Sequence, residues 1–315
     1  MAILTKLDKR AFEGILKKYD IGKHRSNKHI TCALGDTIYL LRTNKGKFIL
    51  KIFETSDENF IKYQIWLMNV AEKGKLPVAK IIKTKNLKNI IFHNKKIVMI
   101  QRFIEGKPPK NLNNKLVKDI AFKQATLNKL LLKLKLTGKY TWGDYHFNTK
   151  KSNAKKYGKF NIRNEEENIL NGLRKINKKK LRKSHVHADF HTINLLVQKG
   201  KLKAILDWDD AHEDYLVFDL ATFIARAFVR EHYVKKNQII LYLKEYQKIL
   251  KLNKEEKKAV YYFIKQRYLR GICWAIKQLP KHKNMKPEIR NLINGWIEMY
   301  KTFDKVSLKE FLELF

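Results

Sequence analysis

His185-Val-His-Ala-Asp-Phe-His-Thr-Ile-Asn194, followed by Ala204-Ile-Leu-Asp207-Trp-Asp-Asp210, is the stretch that decides how this chain is read. It holds an Asp-x-x-x-x-Asn spacing from Asp189 to Asn194. After a Lys/Gly turn at Gln198–Lys201 an apolar strand ends on Asp207. Phosphoryl transfer asks little covalent chemistry of a protein: a carboxylate to accept a hydroxyl proton, and oxygen ligands to hold Mg²⁺ on nucleotide phosphates. Asp189 suits the first task, and Asn194 and Asp207 suit the second.

Two other readings use the same residues. His185, His187, Asp189 and His191 recur at spacing two and would line one face of a strand, as a metallohydrolase cluster does. That reading leaves Asn194 and Asp207 without a role. Alternatively these are ordinary polar loop residues, with His187 a hydrogen-bonded strut that orients backbone. The order His-x-Asp-x-x-x-x-Asn, then a hydrophobic strand closing on Asp, is the order of a kinase-type catalytic loop and its metal-binding carboxylate.

The 315 residues, 44% hydrophobic and 31% charged, suit a globular protein with room for two lobes. No apolar run approaches the roughly 18 residues of a membrane span, since Arg226 breaks the run from Leu220 to Val229. The N-terminal residues lack the apolar region and cleavage site of a signal peptide, so a cytoplasmic protein with no membrane partner is expected. Cys32 and Cys273 lie far apart among apolar or small residues and read as reduced thiols. Lys and Arg number 68 against 30 Asp and Glu, a formal charge of +38. Because the excess is spread over nearly every segment, it reads as a solvated surface that meets nucleic acid through nonspecific charge.

Along the chain, Leu7, Phe12, Ile15 and Leu16 have helical spacing, and Thr37–Arg42 and Lys47–Phe53 form a hairpin about Asn44-Lys-Gly46. Lys51 interrupts the second apolar run. An unpaired ammonium costs several kcal/mol to bury, so a lysine here either binds nucleotide phosphates or points to water from an edge strand. Ahead of the hairpin, Ala33-Leu-Gly35-Asp-Thr37 could cover phosphates with backbone N–H groups. A helix carrying Ile61, Ile65 and Met68 follows and closes near Gly74. A carboxylate on it would pair with Lys51; its middle offers Tyr63 and Gln64, leaving Glu58 as the nearest acidic candidate. Leu76–Ile82 and Lys96–Arg102 read as strands, the second bringing Gln101 and Phe103 to a Gly/Pro-rich adenine-binding hinge at Phe103–Pro109. The lobe boundary falls there, giving residues 1–105 and 106–315. Helical patterns follow at Lys115–Leu136, at Glu165–Ile176 behind Asn164 as its cap, at Phe218–Phe228, Gln238–Leu250 and Lys254–Gln278, and in a terminal helix.

With these pieces assembled the chain resembles the aminoglycoside phosphotransferase superfamily, most closely its bacterial homoserine kinase branch. The matching stretches are Tyr19-Asp-Ile-Gly22, Gly46-Lys-Phe-Ile-Leu50, Phe103-Ile-Glu-Gly106, His187-Ala-Asp189, Ile205-Leu-Asp207, Phe218-Asp219-Leu, Tyr242-Leu-Lys-Glu-Tyr246 and Leu252-Asn-Lys-Glu-Glu256. The resemblance implies an α+β, two-lobed protein-kinase-like fold, with a small antiparallel-sheet N-lobe and a larger, mostly helical C-lobe. It implies ATP- and Mg²⁺-dependent phosphorylation of a small-molecule hydroxyl. By position it makes Asp189 the base, Asn194 and Asp207 the Mg²⁺ ligands, Lys51 the phosphate-binding residue, and Asp219 a carboxylate supporting the loop together with His187. Ala188, where regulated protein kinases carry Arg, and the absence of room for an activation segment before Asp219 argue against a protein substrate.

Two positions depart from that branch, which often has Thr at Lys51 and His at Asn128. Asp209, Asp210, Glu213 and Asp214 crowd carboxylates beside Asp207 and could bind an amine of the acceptor, an amino alcohol, amino acid or aminoglycoside. Alternatively Glu213 and Asp214 are exposed and favour the helix N-terminus near Leu216. Homoserine is the best single expectation for the acceptor, although fold alone does not fix substrate. An aminoglycoside-type phosphotransferase, a catalytically silent kinase-fold protein and a basic RNA-associated protein are the alternatives.

Overall fold

The structure, a computed structural model, describes residues 5–30, 35–55, 57–141, 154–280 and 285–315. Cys32 and the Ala33-Leu34 part of the expected phosphate loop lie outside the described residues. Two compact units are formed: Met1–Gly106 with Lys203–Asp209, and Lys107–Leu202 with Asp210–Phe315. The short return of 203–209 to the first unit has no compositional signal in the sequence.

The first unit begins with helix α1 (Lys9–Leu16), capped by Asp8, whose carboxylate accepts from the Ala11 N–H at 2.7 Å. Phe12, Ile15 and Leu16 of its inner face are buried. A five-stranded antiparallel sheet follows, made of β1 (His24–His29), β2 (Thr37–Thr43), β3 (Gly46–Phe53), β4 (Ile90–His93) and β5 (Lys96–Arg102), in the order β1-β2-β3-β5-β4. β1, His-Arg-Ser-Asn-Lys-His, is an unexpected strand: it lies on the sheet edge, where a polar segment can pair without burying a face. β3 is central, and from Leu50 to Phe53 each of its side chains is buried. Between β3 and β4 runs α2 (Glu58–Lys73), capped by Asp57 on the Phe60 N–H and closed at Gly74.

Leu76–Ile82 is not the regular strand expected from its apolar content. It makes isolated bridges from Val78 to Ile205 and from Ile81 to Gln101. Pro77 has no N–H for a ladder, and its carbonyl instead accepts from Ile205 N at 2.7 Å, which ties the 203–209 segment into this unit.

The second unit is mostly helical. α3 (Asn114–Leu131) is capped by Asn113 and ends five residues before the expected Leu136. α4 (Ile162–Arg174) is capped by Asn161 and not by Asn164, whose own N–H donates to the Asn161 side chain at 3.1 Å. β6 (Lys183–Val186) leads into the loop carrying Asp189, and β7 (Leu195–Gln198) leaves it. Lys199 and Gly200, with φ of 50° and 70°, turn the chain into β8 (Lys201–Ile205). β9 (His212–Tyr215) pairs antiparallel with β6, His185 facing Glu213.

Helices α5 (Phe218–Phe228), α6 (Lys236–Gln247), α7 (Lys254–Gln278), α8 (Lys286–Asp304) and α9 (Leu308–Leu312) complete the unit. α7 opens with a capping box between Asn253 and Glu256. Phe223 stacks on Tyr242 at 4.7 Å and meets Phe228 edge-on at 5.5 Å, so the core of this unit locks α5 to α6. Cys273 is in no disulfide among the described residues, and no helix among them is long and apolar enough to cross a membrane.

Candidate active site

The Asp189 loop is held from behind by α5. Asp219, in the first turn of that helix, is fully buried and accepts the backbone N–H of His187 at 2.9 Å and of Ala188 at 2.7 Å. Asn128 of α3 donates to the same carboxylate at 3.2 Å and accepts from the Tyr246 hydroxyl at 3.1 Å. A buried carboxylate without such donors would cost several kcal/mol. Burial pushes the Asp219 carboxyl up, against the opposing pull of His187 and the bonded N–H groups. Ala188 takes φ 68°, a left-handed conformation that aims its N–H at Asp219; non-glycine residues adopt it at a cost. His187 is buried, its Nδ1 accepting the Asp189 N–H at 3.3 Å, so it shapes backbone as a strut does.

Asp189 is thereby presented with each oxygen engaged. Asn194 donates Nδ2 to Oδ2 at 2.8 Å and to the Asp189 carbonyl at 3.0 Å. His191 accepts the Ile193 N–H at Nδ1, 3.3 Å, which leaves the proton on Nε2 to donate to Asp189 Oδ2 at 3.1 Å. Arg267, from α7, donates Nη2 to Oδ1 at 2.9 Å. Burial would raise the Asp189 carboxyl, but the His191 bond and the charges of His191, Arg267 and His187 outweigh it and hold the group far below the carboxylate range. The result is a carboxylate that stays ionised and can accept a proton only from a group brought against it.

In the first unit Lys51 lies on β3 with 8% exposure, facing a pair of carboxylates. It donates to Asp209 Oδ1 and Oδ2 at 2.6 and 2.5 Å and meets Asp36 at 3.2 Å. Burial would lower its pKa, yet Asp209, Asp36 and Asp207 together raise it, so it remains an ammonium. Asp36 is itself pushed up by burial, with Lys51 opposing. Glu58, the acidic candidate on α2, instead pairs with Lys62 at 2.7 Å on the exposed side of the helix. Gln64, which occupies the helix position where a carboxylate was sought, donates to the Asp209 carbonyl at 3.3 Å. The lysine's partner thus comes from beyond Asp207 and not from α2.

The Thr37 hydroxyl is engaged within the first unit. Thr37 is paired with Ile52 in the sheet, fully buried, and its hydroxyl donates to Glu54 while accepting from Thr5 N at 2.9 Å. Gly35 is exposed, with open space where a Cβ would sit. Gln101 lies on β5 opposite Ile49, its amide directed at the Met68 sulfur at 3.9 Å, and the Phe103 N–H donates to Lys47 O at 3.3 Å. Asp207 takes φ 61°, a second non-glycine residue in left-handed conformation at a position the sequence marks for chemistry.

The acidic residues after Asp207 do not make the amine pocket that their spacing suggested. Asp209 is committed to Lys51. Glu213 is buried and accepts from Thr137 N and Gly138 N, each at 2.8 Å, and from the Thr137 hydroxyl at 2.6 Å. Asp214 is buried too, bonded by His212 at 3.0 Å and Tyr215 N at 2.6 Å. Asp210 presents its carbonyl to His212 Nδ1 at 2.7 Å. Nor do the histidines form a metal cluster: His185 Nε2 hydrogen-bonds the Lys135 carbonyl at 3.3 Å. No group of three or more His, Cys, Asp or Glu side chains suited to a metal occurs among the described residues.

Asp36, Gln64, His191 in its role on Asp189, and Arg267 are the site residues that the sequence did not single out. A lone arginine at 226, interrupting the apolar run Leu220–Val229, was the one visible hint of charge on the helices behind the loop.

Residues 34–238 match the Phosphotransferase enzyme family, and the chain belongs to that family. It is a small-molecule phosphotransferase with a kinase-like fold. Among its relatives are homoserine kinases of Zymomonas mobilis, 23% identical over 266 residues covering 82% of this chain and 83% of that one, and of Bradyrhizobium diazoefficiens, 24% identical over 283 residues covering 82% and 81%. Among solved structures, an amicoumacin kinase in complex with AMP-PNP, Ca²⁺ and amicoumacin superposes with a TM-score of 0.72 at 12% identity, covering 96% of this chain and 95% of that one. An AMP-bound spectinomycin phosphotransferase superposes with a TM-score of 0.69 at 14% identity, covering 94% and 99%.

Proposed function

We propose that this enzyme transfers the γ-phosphoryl group of ATP to the hydroxyl of a small amine-bearing acceptor, homoserine or a close relative of it. The observation that carries the reading is the constellation on Asp189: an ionised carboxylate, oriented by Asn194 and His191, on a loop whose backbone is pinned by Asp219. In this scheme the acceptor hydroxyl gives its proton to Asp189 as its oxygen bonds to phosphorus and the bond to ADP breaks. Lys51 binds phosphate oxygens, and His191 and Asn194 keep the base in place.

The donor set fits a divalent cation. Asn194 has its amide orientation set by two Nδ2 bonds to Asp189, which leaves Oδ1, to which no donor is bonded among the described residues. Asn194 and Asp207 are the two hard oxygen ligands that the family resemblance assigns to Mg²⁺. When bound, the ion would neutralise charge on the nucleotide phosphates. The adenine nucleotides bound in the solved relatives, and the homoserine kinases among the sequence relatives, support the donor and the acceptor class.

The test is thermal stabilisation by ATP with and without Mg²⁺, followed by ADP release over homoserine, amino alcohols and aminoglycosides. Asp189→Ala is expected to lose about 10²–10⁴ in turnover while still binding ATP. Asp207→Ala is expected to lose the metal-dependent shift. Full turnover in the first variant, or an unchanged shift in the second, removes that residue from its role.

A further inference from the structure

Behind Asp189, helices α5 and α7 of the second unit carry the arginines Arg226 and Arg267. Arg267 of α7 bonds Asp189, and its Nε is buried with no hydrogen-bond partner among the described residues. The Arg226 guanidinium of α5 has no hydrogen bond or ion pair to another described residue; the Arg226 carbonyl accepts from Arg230 Nη1 at 3.4 Å. The Arg226 guanidinium instead lies over the Trp296 ring at 5.4 Å. That ring is seated against Gly271 of α7, where a Cβ would come within 2.8 Å of it, so α8 backs the arginine with an apolar plate. Arg230, just beyond α5, donates to the Val229 carbonyl at 2.9 Å and bonds no carboxylate among the described residues. Burial, then the charges of Arg267 and Arg230, depress Arg226 to about 10, with Asp189 opposing. Asp189 compensates Arg267, but Arg226 has no such partner, and a half-buried guanidinium costs free energy unless an anion joins it.

We propose that Arg226 and Arg267 form a subsite for an anionic group on the acceptor, a carboxylate, placed beside the hydroxyl that Asp189 deprotonates. This deepens the kinase reading and rests on it. Arginine is the residue suited to the task, since its planar fork binds a carboxylate with two parallel bonds. The acceptor's carboxylate also resolves the state of the base. Without acceptor, Arg267 occupies Asp189 Oδ1; once its guanidinium turns to the arriving carboxylate, that oxygen is open to the hydroxyl. An acceptor of the right charge therefore uncovers the base it needs. The same guanidiniums repel a polycation, which disfavours aminoglycosides at this position.

The experiment measures binding separately from turnover. Titration calorimetry would compare L-homoserine with 3-aminopropan-1-ol, the same molecule without its carboxylate, on the full chain and on Arg226→Gln, Arg226→Lys and Arg267→Gln. Homoserine is expected to bind at least about tenfold more tightly than the alcohol, a preference lost in Arg226→Gln and partly retained in Arg226→Lys. Should Arg226→Gln fail to fold, Arg267→Gln and Arg226→Lys carry the comparison. Equal binding of the two ligands overturns the subsite, as does a preference that survives loss of either guanidinium. No binding of L-homoserine, L-serine or 4-hydroxybutanoate overturns it too, as does preferred phosphorylation of aminoglycosides. Absence of a Mg-ATP shift in the wild type fails the kinase reading instead, and the carboxylate preference is still read from the titrations.

Discussion

Lys51 donates to both carboxylate oxygens of Asp209, at 2.6 and 2.5 Å, within the first unit. A strand lysine thus has its counter-ion supplied by the residue two places after Asp207, while α2 offers only Gln64 on the backbone of the same aspartate. The absence of a helix carboxylate on Lys51, compatible in the sequence alone with the catalytically silent alternative, leaves the lysine charged and oriented all the same.

Removing that partner is the first prediction. Asp209→Ala leaves a buried ammonium facing Asp36, and breaking a buried pair costs about 3–5 kcal/mol. Because the Asp209 side chain is 37% exposed, water compensates part of the loss, and about 2 kcal/mol is expected. Urea unfolding measures this. The KM for ATP should rise with it, as Lys51 loses its fixed position. A variant as stable as wild type with an unchanged KM would show that Asp36 alone orients the lysine.

Asp219→Asn tests the loop support. The His187 and Ala188 N–H groups bond different oxygens of Asp219, so in Asn one of them would face the side-chain NH₂, a donor. Leaving one buried N–H unsatisfied costs about 1–3 kcal/mol. Turnover should fall with it, while the ATP-dependent thermal shift persists. Ala188→Gly, relieving φ 68° but adding freedom to the unfolded chain, should be within about 1 kcal/mol of neutral. Ala188→Val, with a branched Cβ at that φ, should destabilise clearly. If Val were tolerated as well as Gly, the left-handed geometry would not be what places the loop.

What could be read from the sequence was what short spacing carries. Asp189, Asn194 and Asp207 sit within one loop, turn and strand, and Lys51 stands out because it interrupts an apolar run. Partners brought from afar left no local trace: Arg267 reaches Asp189 across 78 positions, and Asp209 reaches Lys51 across 158. β1 was illegible for a related reason, since an edge strand with both faces wet needs no period-two pattern. The reverse error fell on Leu76–Ile82, apolar because it is buried but kept out of the ladder by Pro77. Carboxylate spacing misled at Glu213 and Asp214, whose charges are spent on holding local backbone.

A pH dependence follows from the environment of Asp189. Its folded pKa lies below that of the free side chain, near 3.9, so the ionised group contributes stability that is present above about pH 4 and lost as pH falls through the folded value. The stability difference between wild type and Asp189→Asn should therefore be flat from about pH 8 to 5 and shrink only below about 4. Urea melts across that range decide it. A difference that already closes between pH 7 and 5 would mean that the titrating group is not this carboxylate. For the same reason any acid limb of kcat/KM above pH 5 belongs to another group.

The last prediction concerns the approach to the loop. Arg182, immediately before β6, donates Nε and Nη2 to the two oxygens of Glu256, each at 2.7 Å, and Nη2 also reaches the Lys251 carbonyl at 2.7 Å. Glu256 is fully buried and doubles as the reciprocal half of the α7 capping box, accepting from Asn253 N at 3.0 Å. One carboxylate therefore fixes both the start of the strand that leads to Asp189 and the start of the helix that carries Arg267. Arg182→Met removes the cation and leaves the anion buried, at an expected cost of about 2–4 kcal/mol, more than an exposed pair would show. Replacing both residues, Arg182→Met with Glu256→Gln, should recover part of that loss, because the uncompensated charge is gone while the cap acceptor remains. Denaturant melts of the two single variants and the double variant give the coupling directly. Strict additivity would show that Arg182 and Glu256 act independently and that the clamp between β6 and α7 lies elsewhere.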